Sequence, residues 1–174
     1  DKLIESAKAY LLKTNPELVA ELPKTDNDLF EQAQCHFENK NYGTAISYLL
    51  KISNKTNVVN FNIGLTYQFI KNYEDAIIYY KYAISDEDGE AMNNLAILYE
   101  NEFKDYKNAK KYYSMAIKKG NEKAMSNLAI LYENEFKDYK KAENYYLMAI
   151  KNGNTIASNN LAVMYENEFK DYKK

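Results

Sequence analysis

Tryptophan is absent, cysteine and histidine occur once each, and proline occurs twice in 174 residues. Each scarcity closes off some chemistry. A single thiol, Cys35, cannot build an internal disulfide framework, and it fits a reducing, cytoplasmic compartment. A single histidine, His36, excludes a multi-histidine zinc site and leaves any histidine-dependent triad only that residue to use. No apolar run reaches the ~20 residues a membrane span needs, and no basic stretch leads into an apolar one as in a signal peptide. The chain opens on Asp1, so a leader lost with the natural N-terminus stays compatible with this reading. An excess of one charge is also missing: 23 Lys+Arg stand against 25 Asp+Glu, interspersed, for a net charge of −2. Without a basic stripe the composition argues against a nucleic-acid partner.

What is abundant is tyrosine, 18 of them, within a composition 46% hydrophobic and 28% charged. A globular core built from this chain must lean on tyrosine. Plentiful Asn, Lys, Ile and Tyr further suggest an AT-rich coding bias.

The chain also repeats itself. "LYENEFKDYK" stands at residues 98–107 and again at 131–140, and "MYENEFKDYK" follows at 164–173, each copy 33 residues after the last. A fixed period of this size signals a stacked repeat architecture. Within residues 91–123, Met92, Leu95, Ala96 and Tyr99 recur at i, i+3, i+4 and i+7, one face of a helix. Ala109, Tyr112, Tyr113, Ala116 and Ile117 define the face of a second. Asp105 suits the N-cap of that second helix, and Gly120, after Lys118 and Lys119, suits its left-handed end. The spacing therefore predicts two antiparallel helices per unit. Ala96, Ala109 and Ala116 recur as Ala129, Ala142 and Ala149, small residues that let helix axes approach closely. One hairpin cannot bury both faces of its helices, so each unit needs neighbours.

Looser copies lie upstream. Residues 62–84 match 94–117, with Gly64, Tyr67, Tyr73, Ala76, Tyr80 and Ala83 in the places of Ala96, Tyr99, Tyr106, Ala109, Tyr113 and Ala116. The run "LFEQAQCHFENKNYGTAISYLLKI" is more divergent, with Ala33, Tyr42, Ala45 and Leu49 in frame, and Asp28 followed by Glu31 marks its start as a capping-box spacing. Residues 1–23 read as an N-terminal helical segment, a cap or degenerate repeat, with Asn15 as an N-cap before Pro16. Residues 24–174 read as the repeat array, its last repeat truncated where 172–174 begin a second helix, so a longer natural protein is expected.

These residues resemble the tetratricopeptide repeat, and the run "AxxYYxMAIxxGNxxAMxNLA" at 109–129 resembles its Sel-one-like subfamily more narrowly. The likeness covers roughly residue 28 to the end. Tyr112 and Tyr145 depart from it where the subfamily often has Trp, and the turn inside each unit lacks the usual Gly-x-Gly insertion. The resemblance implies an all-α, right-handed solenoid of stacked helix pairs that acts as a protein-interaction scaffold or adaptor, with no catalytic residues, no cofactor and no metal. Two alternatives stay open: a regulatory repeat region of a larger enzyme, and a nucleic-acid-binding helical repeat protein, which the net charge disfavours.

Other constellations weigh less. Adjacent Cys35 and His36 point about 100° apart on a helix, and His36 falls where other copies place Tyr67 and Tyr99, so packing is the expected role of the pair. "DEDG" at 86–89 fails the ligand spacing of a calcium loop, since Ile84 would have to be the first ligand. "NKT" at 54–56 forms a glycosylation triplet with no other sign of secretion. The paired tyrosines 79/80, 112/113 and 145/146 read as core rather than as base-stacking platforms.

One periodic surface remains. By resemblance to tetratricopeptide arrays, the first helices line a concave groove. The residues placed there are Asn93, Ile97, Glu100 and Asn101, then Ser126, Ile130, Glu133 and Asn134, then Asn159, Val163, Glu166 and Asn167. Three carboxylates in register select a protein or peptide partner of basic or polar character. The competing reading is a duplicated, solvated edge. No membrane or nucleic-acid partner is expected, while an uncovered repeat end predicts self-association.

Overall fold

The computed structural model describes residues 25–84 and 89–171. The described residues contain helices and no strands. They fall into two compact units that divide between Asn54 and Lys55.

The first unit holds one helix pair, α1 (Asp26–Glu38) and α2 (Tyr42–Lys51). Its entry differs from the sequence expectation. The N-cap is Thr25, whose hydroxyl accepts from the Asp28 amide while the Asp28 carboxylate accepts the Thr25 amide at 2.8 Å. The capping box is thus Thr25–Asp28, not Asp28–Glu31, and two orphan amides of the helix start are satisfied reciprocally. The Asp26 carboxylate accepts the backbone amides of Ser53 and Asn54, tying the exit of α2 back to the start of α1. Leu29, Ala33, Ala45, Ile46, Leu49 and Ile52 form the buried seam. His36 stacks on Tyr48 with ring centres 5.4 Å apart, the packing role its place in the repeat implied. Cys35, expected to pack as well, is exposed instead, with the Asn39 side-chain amide 3.7 Å from its sulfur.

The second unit contains α3 (Asn57–Phe69), α4 (Tyr73–Ala83), α5 (Gly89–Asn101), α6 (Tyr106–Lys118), α7 (Glu122–Asn134), α8 (Tyr139–Lys151) and α9 (Thr155–Asp171). The pairs α3/α4, α5/α6 and α7/α8 stack in chain order, and first helices also touch across the repeat, α5 to α7 and α7 to α9. Alanine sets the spacing: Ala76, Ala83, Ala96, Ala109, Ala116, Ala129, Ala142 and Ala149 are fully buried. Tyr80, Tyr113 and Tyr146 fill the volume those alanines leave, each as buried as a leucine of the same core. In place of Ala96, Gly64 allows a still closer approach, since a Cβ there would stand 2.9 Å from the Tyr80 ring.

Caps and turns recur with the same period. Asn72, Asp105 and Asp138 cap the second helices, accepting from the amides of Asp75, Asn108 and Lys141. The residue before each cap is left-handed, and it is always lysine: Lys71, Lys104 and Lys137 have φ of 62°, 52° and 52°, and Lys40 in the first unit has 60°. Gly120 and Gly153 take the left-handed position between repeats, as expected for Gly120. α9 breaks the pattern. It runs helical through the letters that form the turn at 102–105 and 135–138. Among the described residues no second helix follows it.

Residues 1–24, 85–88 and 172–174 lie outside the described residues, and with them the expected N-terminal helical segment, the expected Asn15 cap, the expected start of a last second helix and most of the DEDG stretch.

Candidate partner-binding face

The repeated letters are engaged almost one by one in holding helices together, some within a pair and some between pairs. Tyr99 stacks on Tyr112 and Tyr132 on Tyr145, with ring centres 5.6 Å apart in both. The next letter reaches the second helix of its own pair: the Tyr113 hydroxyl donates to Glu100 Oε2 at 2.6 Å and the Tyr146 hydroxyl to Glu133 Oε2 at 2.8 Å. The second glutamate works across repeats. Tyr73 faces Glu102 and Tyr106 faces Glu135, each a tyrosine opening a second helix against the turn of the following pair. Phe103 sets its edge against Tyr73 at 6.5 Å, and Lys110 Nζ lies 5.3 Å over the Phe136 ring. Lysine then makes the left-handed turn and aspartate caps the next helix.

Burial sets the electrostatics. It pushes the phenols of Tyr80, Tyr113 and Tyr146 well up, and the carboxylates beside Tyr113 and Tyr146 push those two further. Burial likewise raises the Glu100 carboxyl, with the Tyr113 hydrogen bond opposing it, Glu135 reinforcing it and Lys104 opposing it. Asp105 is held down by the Asn108 amide and side chain, and Asp138 by Lys141, whose Nζ is 2.6 Å away.

The residues placed on the groove by sequence separate into three groups. Asn93 and Ser126 are buried, and Asn93 accepts the side-chain amide of Asn127 at 3.0 Å, a bond between neighbouring first helices. These two are corrected from groove-lining to interior: α7 crosses over Asn93, and Ser126 at the same register is buried as well. Ile97, Ile130, Glu100 and Glu133 are half-buried, the isoleucines packed on the core and the glutamates bound to tyrosine. Asn101, Asn134, Asn159, Val163, Glu166 and Asn167 are exposed. The structure brings four of the twelve together: Ile130, Glu133, Asn134 and Val163, with Tyr146 and Asn160, line an open depression of about 250 Å³. Asn160, like Asn127, was missed, although its 33-residue period was readable.

On the opposite, second-helix face a larger depression of about 470 Å³ lies among Ser114, Ile117, Lys118, Asn144, Tyr145 and Met148. Among the described residues no group of three or more His, Cys, Asp or Glu could hold a metal ion, and no helix is long and apolar enough to cross a membrane.

Helix pairs of this length, stacked in chain order with alanine at the crossings, define an all-α repeat solenoid. The Sel1 repeat matches residues 62–88, 89–121 and 122–154, more than half of the chain, and the protein belongs to that family. Among solved structures, the crystal structure of MamA superposes with a TM-score of 0.68 at 18% identity, covering 88% of each chain. The C-terminal part of a TPR repeat-containing protein from Cytophaga hutchinsonii gives 0.75 at 17% identity, over 98% of this chain and 70% of that one. The N-terminal domain of stress-induced protein-1 from C. elegans gives 0.56 at 17% identity, over 63% and 94%. At such identities the likeness is one of fold. No curated protein matches by sequence.

Proposed function

We propose that the chain is a non-catalytic interaction scaffold that binds a protein or peptide on the face formed by its first helices. The observation that carries this reading is a contrast within the repeated letters. Nearly every one is used to hold helices together within or between pairs, yet Asn101 and Asn134 stay exposed at the same register, and Asn134 lines a depression with Ile130 and Val163. Exposed amides next to aliphatic walls, one half-buried and one exposed, suit the polar and apolar groups of a peptide. The exposed Asn159 and Asn167 extend the row along α9, where Glu166 adds an acid, so a basic or polar partner is favoured over an acidic one. The near-balanced charge supports neither a nucleic-acid nor a membrane partner, and stacking of one array on another is a further mode open to such repeats.

Two substitutions of exposed asparagines test it. Peptides selected from a displayed library against the purified protein should lose affinity when Asn134→Trp fills the first-helix depression. They should keep it when Asn144→Trp fills the second-helix one. The reverse pattern overturns the assignment of the face.

A further inference from the structure

The first-helix face carries an internal difference that bears on what it binds. At one register, α5 and α7 present Glu100 and Glu133, each fixed by a tyrosine hydroxyl on a single carboxylate oxygen. In α3 the same register holds Gln68, whose amide oxygen accepts from Tyr80 at 2.6 Å. Scaffold geometry is therefore constant along the three pairs while charge is not. Three consecutive positions make the same tyrosine bond, and two of them are carboxylates.

We propose that Glu100 and Glu133 form two consecutive seats for cationic side chains of one extended partner segment, with Gln68 marking the neutral end of the row. This rests on the reading of the first-helix face as the binding surface. Three arguments support it. The tyrosine bond takes one carboxylate oxygen and leaves the other to accept from a guanidinium or ammonium group, and it holds the carboxylate in one orientation before the partner arrives. The depression at Glu133 is open and of side-chain size, which suits a single long side chain rather than a whole helix about 10 Å across. Its walls, Ile130 and Val163, are aliphatic and fit the methylene stem of such a side chain. Successive first helices stack about 10 Å apart. One turn of polyproline-II chain, three residues at about 3.1 Å each, spans roughly that distance and returns to the same face, so the segment is polyproline-II-like with two basic residues at i and i+3. The neutral Gln68 seat makes the row asymmetric and gives the bound segment a direction.

The amide at Gln68 makes the same hydrogen bond as the acids, so Glu100→Gln and Glu133→Gln keep the fold and remove only charge. The probes are blocked Gly/Ser peptides carrying two arginines, titrated by calorimetry at low salt. Arginines at i and i+3 should bind about fivefold more tightly than arginines at i and i+1 or at i and i+5. The double variant E100Q/E133Q should abolish the preference. Q68E should give a three-arginine peptide with the same spacing a further gain of about fivefold. Equal affinities for all spacings on the wild type, no binding of any of them, or a preference that survives E100Q/E133Q would each overturn the proposal. If library-selected peptides are lost with Asn134→Trp but indifferent to E100Q/E133Q, the face binds and the two-seat proposal falls alone.

Discussion

Tyr113 and Glu100 are 13 residues apart in sequence and 2.6 Å apart in space, hydroxyl to carboxylate. The bond joins the second helix of a pair to the first, and Tyr146–Glu133 repeats it. Removing the donor leaves a half-buried carboxylate short of a partner. Tyr113→Phe should therefore cost about 1–2 kcal/mol in urea denaturation. Glu100→Gln should change stability by less than about 1 kcal/mol, because an amide already serves at Gln68 and the carboxylate is partly solvated. A double-mutant cycle isolates the pair.

Titration of the same residue gives a sign. The folded-state pKa of Glu100 lies above its unfolded value, so the folded protein holds that proton more tightly. Its contribution is fully present below the unfolded pKa and is lost as pH rises through the folded one. Asp105 and Asp138 are depressed and act oppositely: their contribution is present above the unfolded pKa and is lost as pH falls through the folded one. Urea midpoints for E100Q across the mildly acidic range should lack the decline with rising pH that Glu100 causes. Asp138→Asn should lose part of the acid sensitivity.

Glycine to alanine should change sign between two helices. Gly43, in the first turn of α2, has no atom within 4 Å of where a Cβ would stand, and Gly43→Ala should gain about 0.5–1 kcal/mol. At Gly64 the new Cβ would meet the Tyr80 ring at 2.9 Å and its backbone nitrogen at 3.1 Å. Gly64→Ala should lose about 1–3 kcal/mol as an overpacked contact. Thermal midpoints of the two variants moving in the same direction would refute this.

The left-handed lysines can be relieved or strained further. Lys137→Gly removes a Cβ from a φ of 52° at some entropic cost, and should stabilise by roughly 0.5 kcal/mol. Lys137→Val places a branched side chain there and should destabilise by more than that gain. Denaturant midpoints relative to wild type decide both.

Ala142 is fully buried where α8 crosses its neighbours. Ala142→Leu should cost about 1–3 kcal/mol, read as a lowered denaturation midpoint with unchanged slope.

What the sequence disclosed was what periodicity can carry. The two helices per unit, the alanine crossings, the Asp105 cap and the Gly120 turn follow from registered patterns within a few residues of one another. What it hid depends on contacts between elements. Lysine carries no left-handed signal, and the turn at Lys104 is closed by the Asp105 amide donating to the Tyr99 carbonyl at 2.9 Å and by the Asp105 cap of the following helix. Glu100 looked solvated because its partner is 13 residues away on another helix. Asn93 looked exposed because the crossing that buries it comes from the next repeat, 34 residues on. α9 shows the limit most directly, since the same letters that turn at 102–105 stay helical near its end.

The stacked rings have a use outside binding. His36–Tyr48, Tyr67–Tyr79, Tyr99–Tyr112 and Tyr132–Tyr145 place one stacked ring pair in each helix pair, and the chain has no tryptophan to mask them. Near-ultraviolet circular dichroism of this protein is therefore dominated by tyrosine, and each helix pair contributes one stacked pair to it. Unpairing a single stack by Tyr112→Leu or Tyr145→Leu would darken one reporter and leave the others lit. Unfolding could then be followed repeat by repeat without an added label.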